Sequence, residues 1–164
     1  MSRLPAFCRI CLGIALLAGS CATAPVAPEK GAIAVWDLDD LSPGDSGVPP
    51  MGEFLSAQVI EVLQKRGDRA VVERQRLLLA LEELRLGTSS LADEATLLSL
   101  GRISGARLMV FGGYQVFGGA VRIDLRLVEV ETAKVLKAVQ KTSSSADPQA
   151  MLEIAGEAAR DLVR

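Results

Sequence analysis

The chain has 164 residues, a formal net charge of −2 and no histidine. That length suits one domain of ordinary size. Because histidine is absent, Ser-His-Asp chemistry and histidine zinc sites are excluded. Lysine and arginine are spread along the sequence, which argues against a nucleic-acid partner, since such a partner requires a clustered basic face.

The N-terminus has the pattern of a signal peptide. Arg3 and Arg9 supply positive charge, and an uncharged apolar stretch follows from position 10 to position 19. Ten such residues are too few for a transmembrane helix, which needs about 20, but they suit the apolar core of a signal peptide. We therefore predict that residues 1–20 form a signal peptide.

The signal peptide ends at Leu17-Ala18-Gly19-Ser20-Cys21. A cysteine after small residues is how a bacterial lipoprotein signal peptide ends, so Cys21 is the predicted lipidation site, carrying palmitate-type acyl chains. An ordinary cleavable signal with an incidental cysteine is the alternative. Because Ala22 and not aspartate follows, we expect the outer membrane, with the domain facing the periplasm.

The remaining cysteines and the next segment fit a tethered domain. Cys8 and Cys11 lie within the signal peptide, so the mature domain has no disulfide to stabilise it. Residues 21–31 are small and proline-rich, and such a composition cannot bury a core. We predict an extended tether with a reach of roughly 30 Å.

The first half of the domain alternates short apolar runs with helical periodicity. A loop rich in turn residues is predicted at 39–50. Gly67 is the predicted C-terminal stop of the helix at 51–66. The predicted strands are 32–36 and 70–72, and the predicted helices are 51–66, 75–86 and 93–104.

The second half predicts an antiparallel meander and a last helix. Gly118-Gly119 suits a tight hairpin turn, and Asp147-Pro148 has the pattern of an N-cap followed by proline at the first helical position. The predicted strands are 107–117, 120–130 and 135–141, with a turn at 131–134 and a helix at 149–163.

The resulting order is β-α-β-α-α-β-β-β-α within a single domain, residues 32–164. Strands with helices on one side, followed by the meander, predict an α/β fold with a mixed sheet and packed helices, as a two-layer or three-layer sandwich.

Several strings resemble one protein family: AIAVWDLDDLS, AVVERQRLLLALEEL, GRISGARLMVFGGYQVFGG and VRIDLRLVEVETAKVL. The resemblance is to the CsgG-like family of bacterial envelope lipoproteins, and it covers essentially residues 32–164. The sequence departs from the family's pattern at three places, which together comprise four residues. Arg107 stands where aspartate is frequent, Ala133 where glycine is frequent, and Trp36-Asp37 replaces the usual apolar-Pro-Phe.

The resemblance implies a non-enzymatic accessory, assembly or regulatory factor that works through protein–protein contacts. Its implied partner is an envelope protein of the secretion, flagellar or peptidoglycan-synthesis machinery, and a homo-oligomer is open. A ring-forming secretion component is the alternative. A pore is not expected, since a compact sandwich leaves no room for the extra membrane-spanning hairpins of the curli channel.

Some residues could suggest chemistry. Glu73-Arg74 is interpreted as a strand-to-helix junction and not as a partner contact. The acidic set (Asp37, Asp39, Asp40 and Asp45) does not follow a calcium-loop spacing and is interpreted as turn chemistry. An enzyme using Asp39, Asp40 or Glu73 is the least favoured reading. We therefore assign no catalytic, cofactor or metal site.

Two further patterns have ordinary explanations. No Gly-Lys-Ser/Thr follows Gly112-Gly113 or Gly118-Gly119, which argues against a phosphate loop. Among the aromatic residues Trp36, Phe111, Tyr114 and Phe117, we expect one to three in the core. Alternation at 120–130 could be lipid-facing, but it is equally typical of a half-solvated sheet, which we favour.

Overall fold

The computed structural model describes residues 31–44, 47–83 and 94–164. These ranges contain five strands and four helices. The strands are β1 (Ala32–Val35), β2 (Asp39–Asp40), β3 (Ala106–Phe117), β4 (Ala120–Glu129) and β5 (Val135–Ser143). The helices are α1 (Gly52–Arg66), α2 (Arg74–Glu83), α3 (Glu94–Ile103) and α4 (Pro148–Leu162).

The strands form one mixed sheet in the order β1-β3-β4-β5. β1 runs parallel to β3, with Val35 opposite Val110, while β3, β4 and β5 form the predicted antiparallel meander. The mixed α/β architecture predicted from the sequence is confirmed.

Helices pack on both faces of this sheet, so the domain is a three-layer sandwich and not a two-layer one. One core cluster lies under α1 and α4 and includes Leu55, Val59, Ile123, Leu125 and Met151. The other lies under α2 and α3 and includes Leu77, Leu97, Leu100, Met109 and Val128. The expectation of helices on one side is therefore wrong, because successive residues of β3 point to opposite faces and both faces are apolar there.

Two local predictions are corrected. The segment at 70–72 is not a full strand, since only Val71 forms a bridge, to Ile33, flanked by hydrogen bonds that join Ile33 to Ala70 and Val72. The loop at 39–50 begins with β2, which pairs in parallel with Gly113 and Tyr114. The sequence does not predict this pairing, because aspartate is typical of turns and loops and not of strands.

The helix ends follow the sequence signals where the structure describes them. Gly67 adopts a left-handed conformation (φ 68°), and its N–H donates to the Leu63 carbonyl at 3.4 Å. The Asp147 side chain accepts from the Ala150 N–H, with Pro148 in the first turn. The predicted extension of the second helix to residue 86 lies outside the described residues.

Candidate functional site

A groove of about 500 Å³ opens at the carboxyl end of β1, between the start of α1, the start of α2 and Tyr114 of β3. Crevices beyond the carboxyl ends of strands are the usual binding places of open α/β sheets. We call it the Asp37 groove. Its charged lining residues are Asp37, Asp39, Asp40, Glu53 and Arg74, and its apolar ones include Trp36, Phe54, Leu77, Leu78, Leu81 and Tyr114.

A bidentate ion pair lies at the centre of the groove. Arg74 Nε and Nη2 donate to the two carboxylate oxygens of Asp37 at 3.1 and 2.8 Å, and the Ser56 hydroxyl donates to Oδ1 at 3.1 Å. Glu53 lies 3.5 Å from Arg74 Nη1. The hydrogen bond to Asp37 raises the pKa of Arg74 despite partial desolvation. This pair joins the end of β1 to the start of α2.

Tyr114 links the groove floor to both neighbouring segments. Its hydroxyl accepts from the Met51 N–H at 3.0 Å and donates to Asp40 Oδ2 at 3.0 Å, while its ring is fully buried. Desolvation raises the pKa of Tyr114. Desolvation by itself would raise the pKa of Asp40 too. Hydrogen bonds from Ser42 and Tyr114 outweigh this effect, so the pKa of that carboxyl is lowered.

The rim combines an acidic residue with exposed aromatic surface. Desolvation, and then the nearby charge of Asp37, raise the pKa of Asp39. Phe54 is 62% exposed, and Trp36 and Leu78 are half-buried. An apolar wall with carboxylates on its rim suits a segment that brings both apolar and basic side chains.

In the part of the chain that the structure describes, the charged residues that the sequence analysis considered as possible sites do not form one cluster. Arg74 pairs with Asp37 across 37 residues and not with Glu73, which lies exposed just before α2. Within residues 31–44, 47–83 and 94–164, no group of three His, Cys, Asp or Glu side chains could hold a metal ion. Asp45 and Cys21 lie outside the described residues.

The aromatic residues and the hairpin also separate by environment. Phe111 and Tyr114 are buried, whereas Phe117 is 77% exposed at the hairpin tip. The expectation that one to three aromatics enter the core is confirmed. The apolar side of β4 packs in the core shared with α1 and α4, so this face is covered by helices. None of the helices that the structure describes is long and apolar enough to span a bilayer.

Sequence reasoning missed the Asp37–Arg74 pair and the Tyr114–Asp40 contact. Both join residues far apart in sequence, by 37 and 74 positions. For the ion pair, the local signal was charge directly after each of two apolar segments. Asp37 follows the run 32–36, and Glu73-Arg74 follows residues 70–72, whose Val71 bridges Ile33 in parallel. That signal becomes informative once the parallel pairing is known.

The model of the family described as "Curli production assembly/transport component CsgG" matches residues 18–122, and the chain belongs to this family. No curated protein matches the chain significantly.

Solved structures share the fold at low sequence identity. The C-terminal domain of LpoB from Salmonella enterica is 16% identical with a TM-score of 0.61, covering 73% of this chain and 87% of that one. The dodecameric PelC from Paraburkholderia phytofirmans is 14% identical with a TM-score of 0.51, covering 80% and 84%. Lipoprotein GNA1162 from Neisseria meningitidis is 14% identical with a TM-score of 0.51, covering 80% and 97%.

Proposed function

We propose that this protein is a lipoprotein anchored through Cys21 to the outer membrane, where its domain faces the periplasm. It acts as a non-enzymatic accessory, assembly or regulatory factor through contacts with other envelope proteins. The observation that carries the proposal is the Leu-Ala-Gly-Ser-Cys motif at 17–21, directly before a proline-rich tether and a CsgG-family domain. A neighbour in fold, GNA1162, is itself described as a lipoprotein.

The Asp37 groove is the proposed contact surface. Its ion pair and its tyrosine are already engaged within the fold, since Arg74 and Ser56 donate to Asp37 while Tyr114 donates to Asp40. These contacts hold the groove in shape and leave its aromatic rim for recognition. A preformed apolar wall needs no ordering step on binding, which lowers the entropic cost of association.

The anchor is tested by the mass of the mature protein and by metabolic labelling with a palmitate analogue. We expect label incorporation, an acyl mass on the N-terminal peptide and recovery in the outer-membrane fraction. Cys21→Ala should lose the label and the acyl mass, whereas the matched change Cys11→Ala, within the predicted signal, should keep both. A Cys21→Ala protein of unaltered mass in the membrane fraction would contradict the proposal.

The groove is tested by in-cell crosslinking from a photoreactive residue placed at Phe54, on its rim. We expect a discrete crosslinked partner that is lost in the Trp36→Ala, Asp39→Lys variant. The matched control places the photoreactive residue at Phe117, which is exposed outside the groove. The same crosslinked band from both positions would argue against the groove as the contact surface.

A ring-forming secretion component is the second candidate. It is favoured by the family's description as an assembly/transport component and by the dodecameric state of PelC. Native mass spectrometry of the mature lipidated protein in detergent separates the two. A stable ring that conducts ions in a planar bilayer would favour the secretion component over the accessory factor. A monomer or small oligomer without conductance would support the accessory factor.

A further inference from the structure

A basic surface forms at the end of the sheet where β1 begins, opposite the Asp37 groove. Two neighbouring cavities there share Val163 and Arg164 in their lining. The end of α1, the turn after it, the start of β5 and the end of α4 all contribute cations. The basic surface consists of Lys65, Arg66, Arg69, Lys137, Arg160 and Arg164.

The charge of this surface is unbalanced. Three acids contact it in the described part of the chain: Glu61 lies 2.5 Å from Lys65, Asp68 lies 3.1 Å from Arg66, and Asp161 lies 2.8 Å from Arg164. Counted over these side chains, six cations against three acids leave a net charge of +3, and Asp161 is shared with Lys141, whose Nζ lies 2.6 Å from it. The groove at the other end has four acids, Asp37, Asp39, Asp40 and Glu53, against Arg74, or −3.

Helix ends explain only part of this pattern. Lys65 and Arg66 lie in the last turn of α1 and Arg160 in the last turn of α4, where cations are favourable to the helix dipole. Arg69 and Lys137 lie outside helices. The outermost cations are well solvated, since the Lys65 and Arg164 side chains are 74% and 73% exposed. They are therefore accessible to an anionic surface.

The chain enters the domain at this same end. An Arg69 guanidinium N–H donates to the Gly31 carbonyl at 3.3 Å. The aliphatic part of the Arg107 side chain packs against the Gly31 Cα, where it leaves no room for a Cβ. Cys21 precedes Gly31 by ten residues, which span at most about 36 Å when fully extended. An acyl chain on Cys21 would therefore bring the basic surface toward the headgroups.

We propose that the basic surface binds the anionic phospholipid headgroups of the leaflet that holds the acyl chains. This inference rests on the proposed lipidation of Cys21. Anionic headgroups attract Lys and Arg within a Debye length, which is about 8 Å at physiological ionic strength. The domain then lies with its basic surface on the bilayer, and the Asp37 groove points away from the membrane toward periplasmic partners.

The test uses the mature lipidated protein, with its acyl mass verified, in vesicles of phosphatidylcholine with or without about 30 mol % phosphatidylglycerol. The mature domain offers no free thiol other than Cys21, so a single introduced cysteine can be labelled. A fluorophore is placed either at Gln64→Cys, beside the basic surface, or at Phe117→Cys, at the opposite end of the sheet. Headgroup-attached spin labels then quench the fluorophore that lies near the bilayer.

With phosphatidylglycerol we expect quenching at position 64 to exceed that at position 117 by about threefold or more, falling to near parity at about 0.5 M NaCl. Lys137→Glu with Arg160→Glu should abolish the difference. The matched control, Arg76→Glu with Arg122→Glu, changes the net charge equally at other exposed positions and should preserve it.

Equal quenching at the two positions in phosphatidylglycerol vesicles would overturn this inference and leave the lipoprotein proposal standing. The inference would also be overturned if the control pair abolished the difference in quenching as completely as the test pair does. Net charge, and not this surface, would then be responsible. Absence of the acyl mass would overturn the proposed function and this inference together.

Discussion

At the residue scale, the contact between Asp37 and Arg74 ties two elements together at the groove. Both side chains are about one-third exposed, at 37% and 36%. A double-mutant cycle with Asp37→Asn and Arg74→Gln should give a coupling free energy of about 0.5–1 kcal/mol, because the pair is bidentate but solvent-screened. Urea unfolding of the four proteins measures it.

The pair between Lys65 and Glu61 is a matched control on α1. Its side chains are 74% and 51% exposed, and its spacing is i,i+4. Its coupling should not exceed about 0.5 kcal/mol. An Asp37–Arg74 coupling at or below that of this helical pair would show that the bidentate geometry at the groove adds nothing beyond an exposed helical ion pair.

Ala133 is the single described residue other than glycine with a positive φ, at 57°. It lies in the β4–β5 turn, where the sequence departs from the family's frequent glycine. Because a Cβ is disfavoured in this conformation, Ala133→Gly should raise the free energy of unfolding by about 1 kcal/mol. Ala138→Gly, within β5, should lower it by about 0.5–1 kcal/mol. Thermal and urea unfolding check both signs.

At the element scale, two glycines are predicted to respond oppositely to alanine. A Cβ on Gly112 of β3 would lie 2.5 Å from the Asp124 carbonyl oxygen of β4, whereas one on Gly156 of α4 would meet side-chain atoms no closer than 3.4 Å. Gly112→Ala should lower the free energy of unfolding by about 1–3 kcal/mol through strand displacement. Gly156→Ala should raise it by up to about 1 kcal/mol through helix propensity.

Urea unfolding of both variants decides the comparison. A tolerated Gly112→Ala would mean that β3 and β4 can separate without cost at this register. A destabilising Gly156→Ala would mean that the Gln58 and Val62 side chains, which line that space from α1, cannot yield.

The elements also show where local patterns are sufficient. α4 is predictable because Asp147-Pro148 has the pattern of an N-cap followed by proline at the first helical position. β3 and β4 are predictable because Gly118-Gly119 marks a tight turn between two strand-like segments, the second of which alternates apolar and polar residues. β2 was missed because two exposed aspartates have no apolar pattern, and only the neighbouring β3 edge makes them a strand.

At the scale of the whole molecule, stability should depend on pH in one direction. Hydrogen bonds from Ser145 and the Ala150 N–H lower the pKa of Asp147, and the bond from Lys141 lowers that of Asp161. The pKa of Asp40 is lowered too, and that of Asp39 is raised.

A lowered folded-state pKa contributes stability above the ordinary value of 3.8 that is lost as pH falls through the folded-state value. Among these four aspartates, three have a lowered pKa and one has a raised pKa. The urea concentration at the unfolding midpoint should therefore decrease as the pH drops below about 4. Because histidine is absent, it should change little between about pH 6 and 8. A midpoint that rises from pH 5 to pH 3 would contradict this assignment. Asp39→Asn is the matched variant and should be at least as stable as the wild type at pH 7.

The distribution of charge is likewise a property of the whole molecule. Lysine and arginine look evenly spread in the sequence, yet α1, β5 and α4 end or begin at one place and bring six of them together. The acids that follow β1 gather at the other end. This separation underlies the proposed orientation on the membrane.

The sequence by itself determined the family, the mixed α/β order, the main helices and the hairpin, because apolar periodicity and capping residues act over a few neighbouring positions. It also supplies the prediction at Cys21, which depends on a local motif. Only the tertiary structure decided that helices cover both faces and that Arg74 meets Asp37. It alone gathered the basic surface opposite the groove, because these arrangements depend on strand pairing and helix packing between segments that are distant in sequence.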